Sequence, residues 1–304
     1  MCKGCPSRQP FASGPEPKLT IYIGSATKPP GRRRTFLIPV QIPPGLEAFL
    51  DEAWLAAKDV PGFLTESEAR FLGMMAACAP GSGAIVEIGS FKGKSTVMLG
   101  KVAQRYGVGP VVAIDPHNFN NPELKEHRSA PGATSYNEFL KNIENAGVSQ
   151  FIETHCAFST DVARSWNRPI RFLWIDGDHG YPVAKSDFDG FTPHLIPHGF
   201  VALHDALHEF SGPIRVFVED VLRSDSFGPA GFVNSIAWSQ FRPQDGATFR
   251  DVRAGIELRA SRLLPFVADN QPLHGLRKIR YKVARSRVPR SLPALSNWVK
   301  LLNQ

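Results

Sequence analysis

Cysteine is scarce in this chain, with four residues (Cys2, Cys5, Cys78 and Cys156) among 304. So few thiols cannot staple a chain of this length, and the scarcity agrees with a reducing compartment. Cys2 and Cys5 make a C-x-x-C pair, but a structural zinc site needs four ligands, and no second C-x-x-C or H-x-x-H completes it. The pair is read as part of a floppy terminus. Long apolar runs are also missing. Stretches such as Ala84 to Ile88 fall far below the roughly 18 residues of a membrane span, so no transmembrane helix is expected. Behind Met1 the chain is polar and proline-rich and lacks the apolar segment of a secretory signal, which makes a cytoplasmic location the default expectation.

Acidic residues are absent from one region. Between Gln271 and Gln304 there are none, against eight basic ones (Arg277, Lys278, Arg280, Lys282, Arg285, Arg287, Arg290 and Lys300). Removing those eight from the chain's 35 basic residues leaves 27 against 28 acidic ones, so the net charge of +7 is a local feature. The body of the chain has no global attraction for phosphate backbones, and no nucleic-acid partner is expected. What the chain does have is apolar content, 42% of its residues, enough to fill a core.

Residues 1–45, rich in Pro, Gly, Ser and Arg, read as an irregular arm with one apolar run from Phe36 to Val40. A helix is predicted after Thr65, because Thr65-x-x-Glu68 has capping-box spacing and Phe71, Leu72, Met74 and Met75 follow. From Ala84 on, β-rich apolar runs alternate with amphipathic stretches. Strands are predicted at Ala84 to Ile88, Val111 to Ile114, Phe151 to His155, Phe172 to Ile175 and Phe200 to Leu203. Helices are predicted at Ser95 to Gln104, Ser135 to Ala146, Thr160 to Ser165 and Val183 to Phe191, with another near Pro213 to Ser224. Phe232 to Phe241 reads as one or two further strands that add an antiparallel edge. The fold class is α/β, a doubly wound, mostly parallel sheet. The expected division is an arm over 1–45, a catalytic domain over 46–245 and a C-terminal extension with a basic tail over 246–304.

Open α/β sheets bind ligands at the carboxyl ends of their strands. Strand one runs into Glu87-Ile88-Gly89-Ser90-Phe91-Lys92-Gly93-Lys94-Ser95-Thr96, whose two glycines would let backbone approach a ligand and leave free amides at a helix start. Strand two runs into Asp115, 22 residues beyond Gly93 and close to the ~20-residue offset at which a carboxylate grips ribose hydroxyls. Strands four and five run into Asp176-Gly177-Asp178-His179 and His204-Asp205. Gly89-x-x-x-Gly93-Lys94-Ser95 superficially matches a phosphate-binding P-loop, but that loop has four residues between its glycines and only three stand here.

These motifs resemble the class I S-adenosylmethionine-dependent methyltransferases grouped with macrolide-sugar O-methyltransferases and cephalosporin-hydroxylase-like proteins. The resemblance rests on Glu-Ile-Gly-Ser-x-x-Gly-x-Ser-Thr, Ala-Ile-Asp-Pro, Ile-Asp-Gly-Asp-His-x-Tyr with Asp187 beyond it, and Gly-Phe-Val-Ala-Leu-His-Asp. They occur in that order from about Phe63 to Asp220, roughly half the chain. The resemblance implies a cofactor site of Glu87, Gly89, Ser90, Phe91, Gly93, Ser95, Asp115, Ser159 and Asp176. Gly89, Phe91 and Ser95 would surround the methionine part, Asp115 would hold the ribose and Ser159 would lie near adenine. Glu87 would support the loop or the methionine ammonium.

It also implies a divalent cation, Mg²⁺ in related O-methyltransferases, held by Asp176, His204 and Asp205. His-Asp stands here where catechol-type enzymes have Asp-Asp or Asp-Asn, which leaves the metal open. His179, three residues after Asp176, is the candidate general base, because imidazole titrates near neutral pH. The bland alternative has His179 and His204 simply hydrogen-bonding neighbouring carboxylates. Lys185 and Asp187 are expected as a surface pair and an internal brace.

The expectation is therefore O-methylation of a small-molecule hydroxyl, on a sugar or other natural product. A relative with cephalosporin-hydroxylase-like chemistry and a non-catalytic binding module are the alternatives. In the basic tail, Leu276, Ile279, Val283 and Val288 recur at near-helical spacing, interrupted by Pro289 and Pro293. That pattern suits a solvated tail, a partner-docking segment or a peripheral membrane contact.

Overall fold

The computed structural model describes residues 39–118, 135–268 and 271–304. The C-x-x-C pair and most of the N-terminal arm lie outside them. Seven strands form one sheet in the order β3-β2-β1-β4-β5-β7-β6. They are β1 (Ala84–Ile88), β2 (Val111–Ile114), β3 (Ile152–His155), β4 (Ile170–Ile175), β5 (Leu195–Leu203), β6 (Phe227–Val233) and β7 (Ile236–Phe241). The first five pair in parallel, and β7 and β6 close the sheet as an antiparallel edge. This is the mostly parallel, Rossmann-like sheet that the strand pattern predicts.

Strands buried on both faces divide their side chains by the two-residue period. Ile85, Val111, Ala113, Phe172, Trp174, Phe200 and Ala202 belong to one core, while Val86, Ile88, Val112, Ile114, Leu173, Ile175 and Val201 belong to the other. The first face is covered by α1 (Leu46–Ala57), α2 (Glu66–Cys78), α3 (Lys94–Tyr106) and α4 (Ser135–Asn145). On the second lie α5 (Ser159–Ala163), α6 (Tyr181–Phe191) and α7 (Gly212–Val216), which continues as a π-helix over Phe217–Leu222. Helices α8 (Arg250–Ala260), α9 (Leu264–Val267) and α10 (Gly275–Ser286) add to that face, and α11 (Leu295–Leu302) returns to the first. No helix of the described residues is long and apolar enough to cross a membrane.

Helix α2 starts where its capping box predicts, with both reciprocal bonds between Thr65 and Glu68 formed. Helix α1 is an element that the sequence reading leaves out. Its apolar stripe of Leu46, Phe49, Leu50, Ala53 and Ala57 is buried, but it opens after Pro43-Pro44-Gly45, which reads as loop. Strand β6 begins at Phe227, earlier than the alternation suggests, because Gly228 and Pro229 disguise it. As the outermost strand of the sheet it tolerates a residue with no N–H to donate.

The basic segment is packed rather than loose. Pro289 and Pro293 stand between α10 and α11, so they bound helices instead of breaking one. Tyr281, Val288, Leu295, Trp298 and Leu302 are buried, whereas Leu276, Ile279 and Val283 are exposed. The apolar spacing seen in the sequence is thus mostly the outward face of α10. Asn303 ties the segment back to residue 40, accepting from the Val40 N–H at 2.8 Å and donating to its carbonyl at 2.9 Å.

Strand register is what builds the site. Ile88 is level with Ile114 on one side and Ile175 on the other, and Ile175 is level with Leu203. The residues that come next, Asp115, Gly89, Asp176 and His204, therefore stand in a row along one edge of the sheet.

Candidate active site

A cavity of about 610 Å³ opens above that row. It lies at the carboxyl ends of β2, β1 and β4, where the chain's order reverses between β1 and β4 and an open sheet forms its binding crevice. Of the nine residues nominated for a cofactor, seven line it: Gly89, Ser90, Phe91, Ser95, Asp115, Ser159 and Asp176. Glu87 and Gly93 do not.

Gly89 has φ 90° and packs so closely on the end of β4 that an added Cβ would collide with the Asp176 carbonyl oxygen. Its smallness serves the β1–β4 junction rather than a close approach to ligand. Gly93, at φ 93°, is the left-handed N-cap of α3. Between them Phe91 takes φ 44°, a conformation that costs a non-glycine residue about 1–3 kcal/mol and needs outside support. Asp115 supplies it, accepting from the Phe91 N–H at 2.7 Å and, through its other oxygen, from the His117 N–H at 2.6 Å. A carboxylate has about four acceptor positions, so ribose hydroxyls could still be held. Ser90 Oγ is buried and without a hydrogen-bond partner in the cavity wall.

Glu87 is fully buried beneath the loop. Thr96 Oγ1 donates to it at 2.5 Å, and burial pushes its pKa up to about 8. A neutral carboxyl bracing the start of α3 is the result. At the far wall Ser159 donates to Asp187, which is buried and has its pKa raised by that burial to about 6. Asp187 is thus the expected brace, and Lys185 pairs with Asp189 at the surface, 2.5 Å away.

At the β4 and β5 ends, Asp176, His179 and Asp205 can each offer an atom within 4.8 Å of the others. His179 Nε2 is 3.2 Å from Asp205 Oδ2 and 3.9 Å from Asp176 Oδ1, and its ring stacks on Phe210 at 4.4 Å. Burial disfavours its charge, but Asp205 and Asp176 outweigh that and raise its pKa. Asp205 itself has φ 54°.

His204 is placed differently from the metal set drawn from the resemblance. It is nearly inaccessible, and its Nδ1 faces Asp176 Oδ1 at 3.0 Å while Nε2 faces Glu68 Oε1 at 3.7 Å. Burial opposes its charge, yet the surrounding carboxylates raise its pKa well above 6.5. Both of its ring nitrogens are turned toward carboxylates. The structure groups His179, in place of His204, with the two aspartates.

Glu68 is the site residue that sequence reasoning missed. Besides capping α2 it accepts from the Ser235 N–H at 3.1 Å and the Ser235 hydroxyl at 2.5 Å. Burial works against its ionisation, but His204 and these hydrogen bonds bring its pKa down to about 2. Its only sequence signal, the capping spacing, is fully explained by the helix start.

Residues 86–206 match the family described as a methyltransferase domain. This segment is a methyltransferase domain. The match begins within β1 and ends just past His204-Asp205, so it spans every strand end that borders the cavity.

Solved structures similar to the chain include an O-methyltransferase from Bacillus cereus in complex with SAH, at 20% identity over 67% of this chain and 93% of that one, TM-score 0.45. Another is the O-methyltransferase TomG from Streptomyces achromogenes, described as involved in tomaymycin synthesis and in complex with SAM. It shows 16% identity over 67% and 92%, TM-score 0.46. A third is CalS11, described as a TDP-rhamnose 3'-O-methyltransferase of calicheamicin biosynthesis, at 15% identity over 66% and 96%, TM-score 0.41.

Proposed function

We propose that this methyltransferase domain uses S-adenosylmethionine to methylate a hydroxyl of a small molecule. The observation that carries the reading is one cavity joining the Gly89–Gly93 loop and Asp115 to the Asp176, His179 and Asp205 cluster. Cofactor and proton-handling groups thereby share one space. Asp115 would hold the ribose, Ser90, Phe91 and Ser95 the methionine part, and Ser159 the adenine end.

An alcohol attacks a sulfonium methyl only as its own proton leaves. His179 is the base of this proposal, its ring fixed by stacking on Phe210 and its Nε2 turned to Asp205. His204 would act as a positive strut that favours the ionised form of Glu68 and holds Asp176 in place.

A second reading is favoured by the convergence of Asp176, His179 and Asp205. Two carboxylates and an imidazole fit a divalent cation, and a nitrogen donor suits Mn²⁺, Fe²⁺ or Zn²⁺ better than Mg²⁺. Such an ion, when bound, would lower the acceptor hydroxyl's pKa. A histidine serving as ligand cannot also take the proton, so the two roles exclude one another.

Calorimetric titration with S-adenosylmethionine and S-adenosylhomocysteine tests the cofactor site. Micromolar binding is expected, with about tenfold loss in Asp115→Asn and a larger loss in Asp115→Ala, which also drops the Phe91 support. Absence of binding by the intact chain would sink the reading. Turnover abolished by a chelator and restored by Mn²⁺ would select the metal role for His179, and chelator-insensitive turnover the base.

A further inference from the structure

A second cavity of about 680 Å³ adjoins the first, and the two share Phe63 and Asp205 in their walls. Its volume lies within the range of small-molecule sites. One wall is the N-terminal end of α2 with the β6–β7 turn, and the other is the last turn of α10 with the segment after it, which contribute Arg285 and Arg290. Here the basic segment left unexplained by the methyltransferase motifs meets the reaction centre.

We propose that this cavity receives the acceptor, and that the acceptor carries an anionic group, phosphate or carboxylate, bound by Arg285 and Arg290. The proposal rests on the methyltransferase reading for the word acceptor, but the anion site stands on its own observations.

The first is the state of the charges in the cavity. Its two carboxylates are already engaged. Glu68 is held by Thr65, Ser235 and His204, and Asp205 lies 3.2 Å from His179 Nε2 and 2.9 Å from His208 Nδ1. The two arginines are not neutralised in this way. Arg285 makes one long bond of 3.4 Å to the Leu207 carbonyl, and among the described residues neither guanidinium has a carboxylate partner. Two other cations of the segment are occupied elsewhere, Lys278 with Glu209 at 3.3 Å and Arg277 with the Phe266 carbonyl at 2.8 Å.

The second observation is that the arginines ride on a fixed support. Tyr281 is buried and donates to the Leu207 carbonyl at 3.0 Å, Val288 is buried, and the Arg290 carbonyl accepts from the Asn234 N–H at 3.0 Å. Planar guanidinium forks mounted on a rigid frame suit bidentate binding of phosphate or carboxylate. An anion anchored there leaves the rest of the molecule to extend toward Asp205 and the first cavity.

The test is calorimetric titration of the whole chain, with and without saturating S-adenosylhomocysteine, using pyrophosphate, malonate and glucose as probes. At least one anion should bind, glucose should bind about tenfold more weakly or not at all, and added NaCl should weaken the anion. Arg285→Gln and Arg290→Gln should each lower anion affinity about tenfold through loss of a charge-assisted hydrogen bond, with S-adenosylhomocysteine affinity unchanged.

Pyrophosphate binding alone identifies a phosphate-bearing acceptor, and malonate binding alone a carboxylate. No binding of either anion, or binding indifferent to both substitutions, would overturn the proposal. Arg290 is exposed, so its variant should keep the wild-type Tm and guards against a folding artefact. Loss of S-adenosylhomocysteine binding by the intact chain would undo the methyltransferase reading while the anion titrations still report on the two arginines.

Discussion

Glu87 lies inside the sheet with its charge suppressed, its pKa raised by burial to about 8 from a free value of 4.5. A folded-state pKa above the unfolded one means that the folded chain binds the proton more tightly. Its contribution to stability is complete below pH 4.5 and declines as the pH rises toward 8. Glu87→Gln, which keeps an oxygen for Thr96, should flatten that decline. Urea midpoints at pH 5 and pH 8 should draw closer together in the variant, and an unchanged difference would contradict a neutral Glu87. The place of Asp115 at a strand end in the cavity wall was legible from its offset alone, because chain length between strand ends is a property of the sequence. Glu68 was not. Its partners His204 and Ser235 are separated from it by most of the sheet, and nothing local marks a capping glutamate as the far side of a histidine's charge pair.

At the scale of elements, the junction between β1 and β4 depends on Gly89. Gly89→Ala would have to accommodate both a left-handed backbone and a clash with the Asp176 carbonyl, together at least about 2 kcal/mol. Because Asp176 would be displaced, cofactor binding should weaken more than stability does, which comparing S-adenosylhomocysteine affinity with Tm can check. Equal losses in both would speak against this coupling. The strands of the parallel core were readable because burial on both faces leaves dense apolar runs, and their ends could be named to within a few residues. Helix α1, strand β6 and the packing of α10 were harder. A proline pair hides the first, an edge position excuses the proline of the second, and α10 exposes three of the apolar residues that suggested its buried face.

For the whole molecule, Trp298 is the point at which distant parts meet. Its ring contacts Phe71 of α2, Phe200 of β5 and Trp238 of β7 at centroid distances of 5.7, 5.3 and 5.7 Å. Trp298→Ala should cost about 3–5 kcal/mol. Trp298→Phe should cost much less, since it keeps an aromatic ring and removes an indole N–H that is buried without a partner. Chemical denaturation of both variants tests this, and similar losses would mean the cavity is not what destabilises the alanine variant. The Asn303–Val40 clasp and the seat of Trp298 also bear on how the protein comes into being. A ribosome delivers the whole seven-stranded sheet before it delivers α11, so during synthesis the groove between Phe71, Phe200 and Trp238 stands bare. Until residue 303 has cleared the exit tunnel, the nascent chain is a sheet with an uncovered aromatic seam, and that interval is when chaperones would find it.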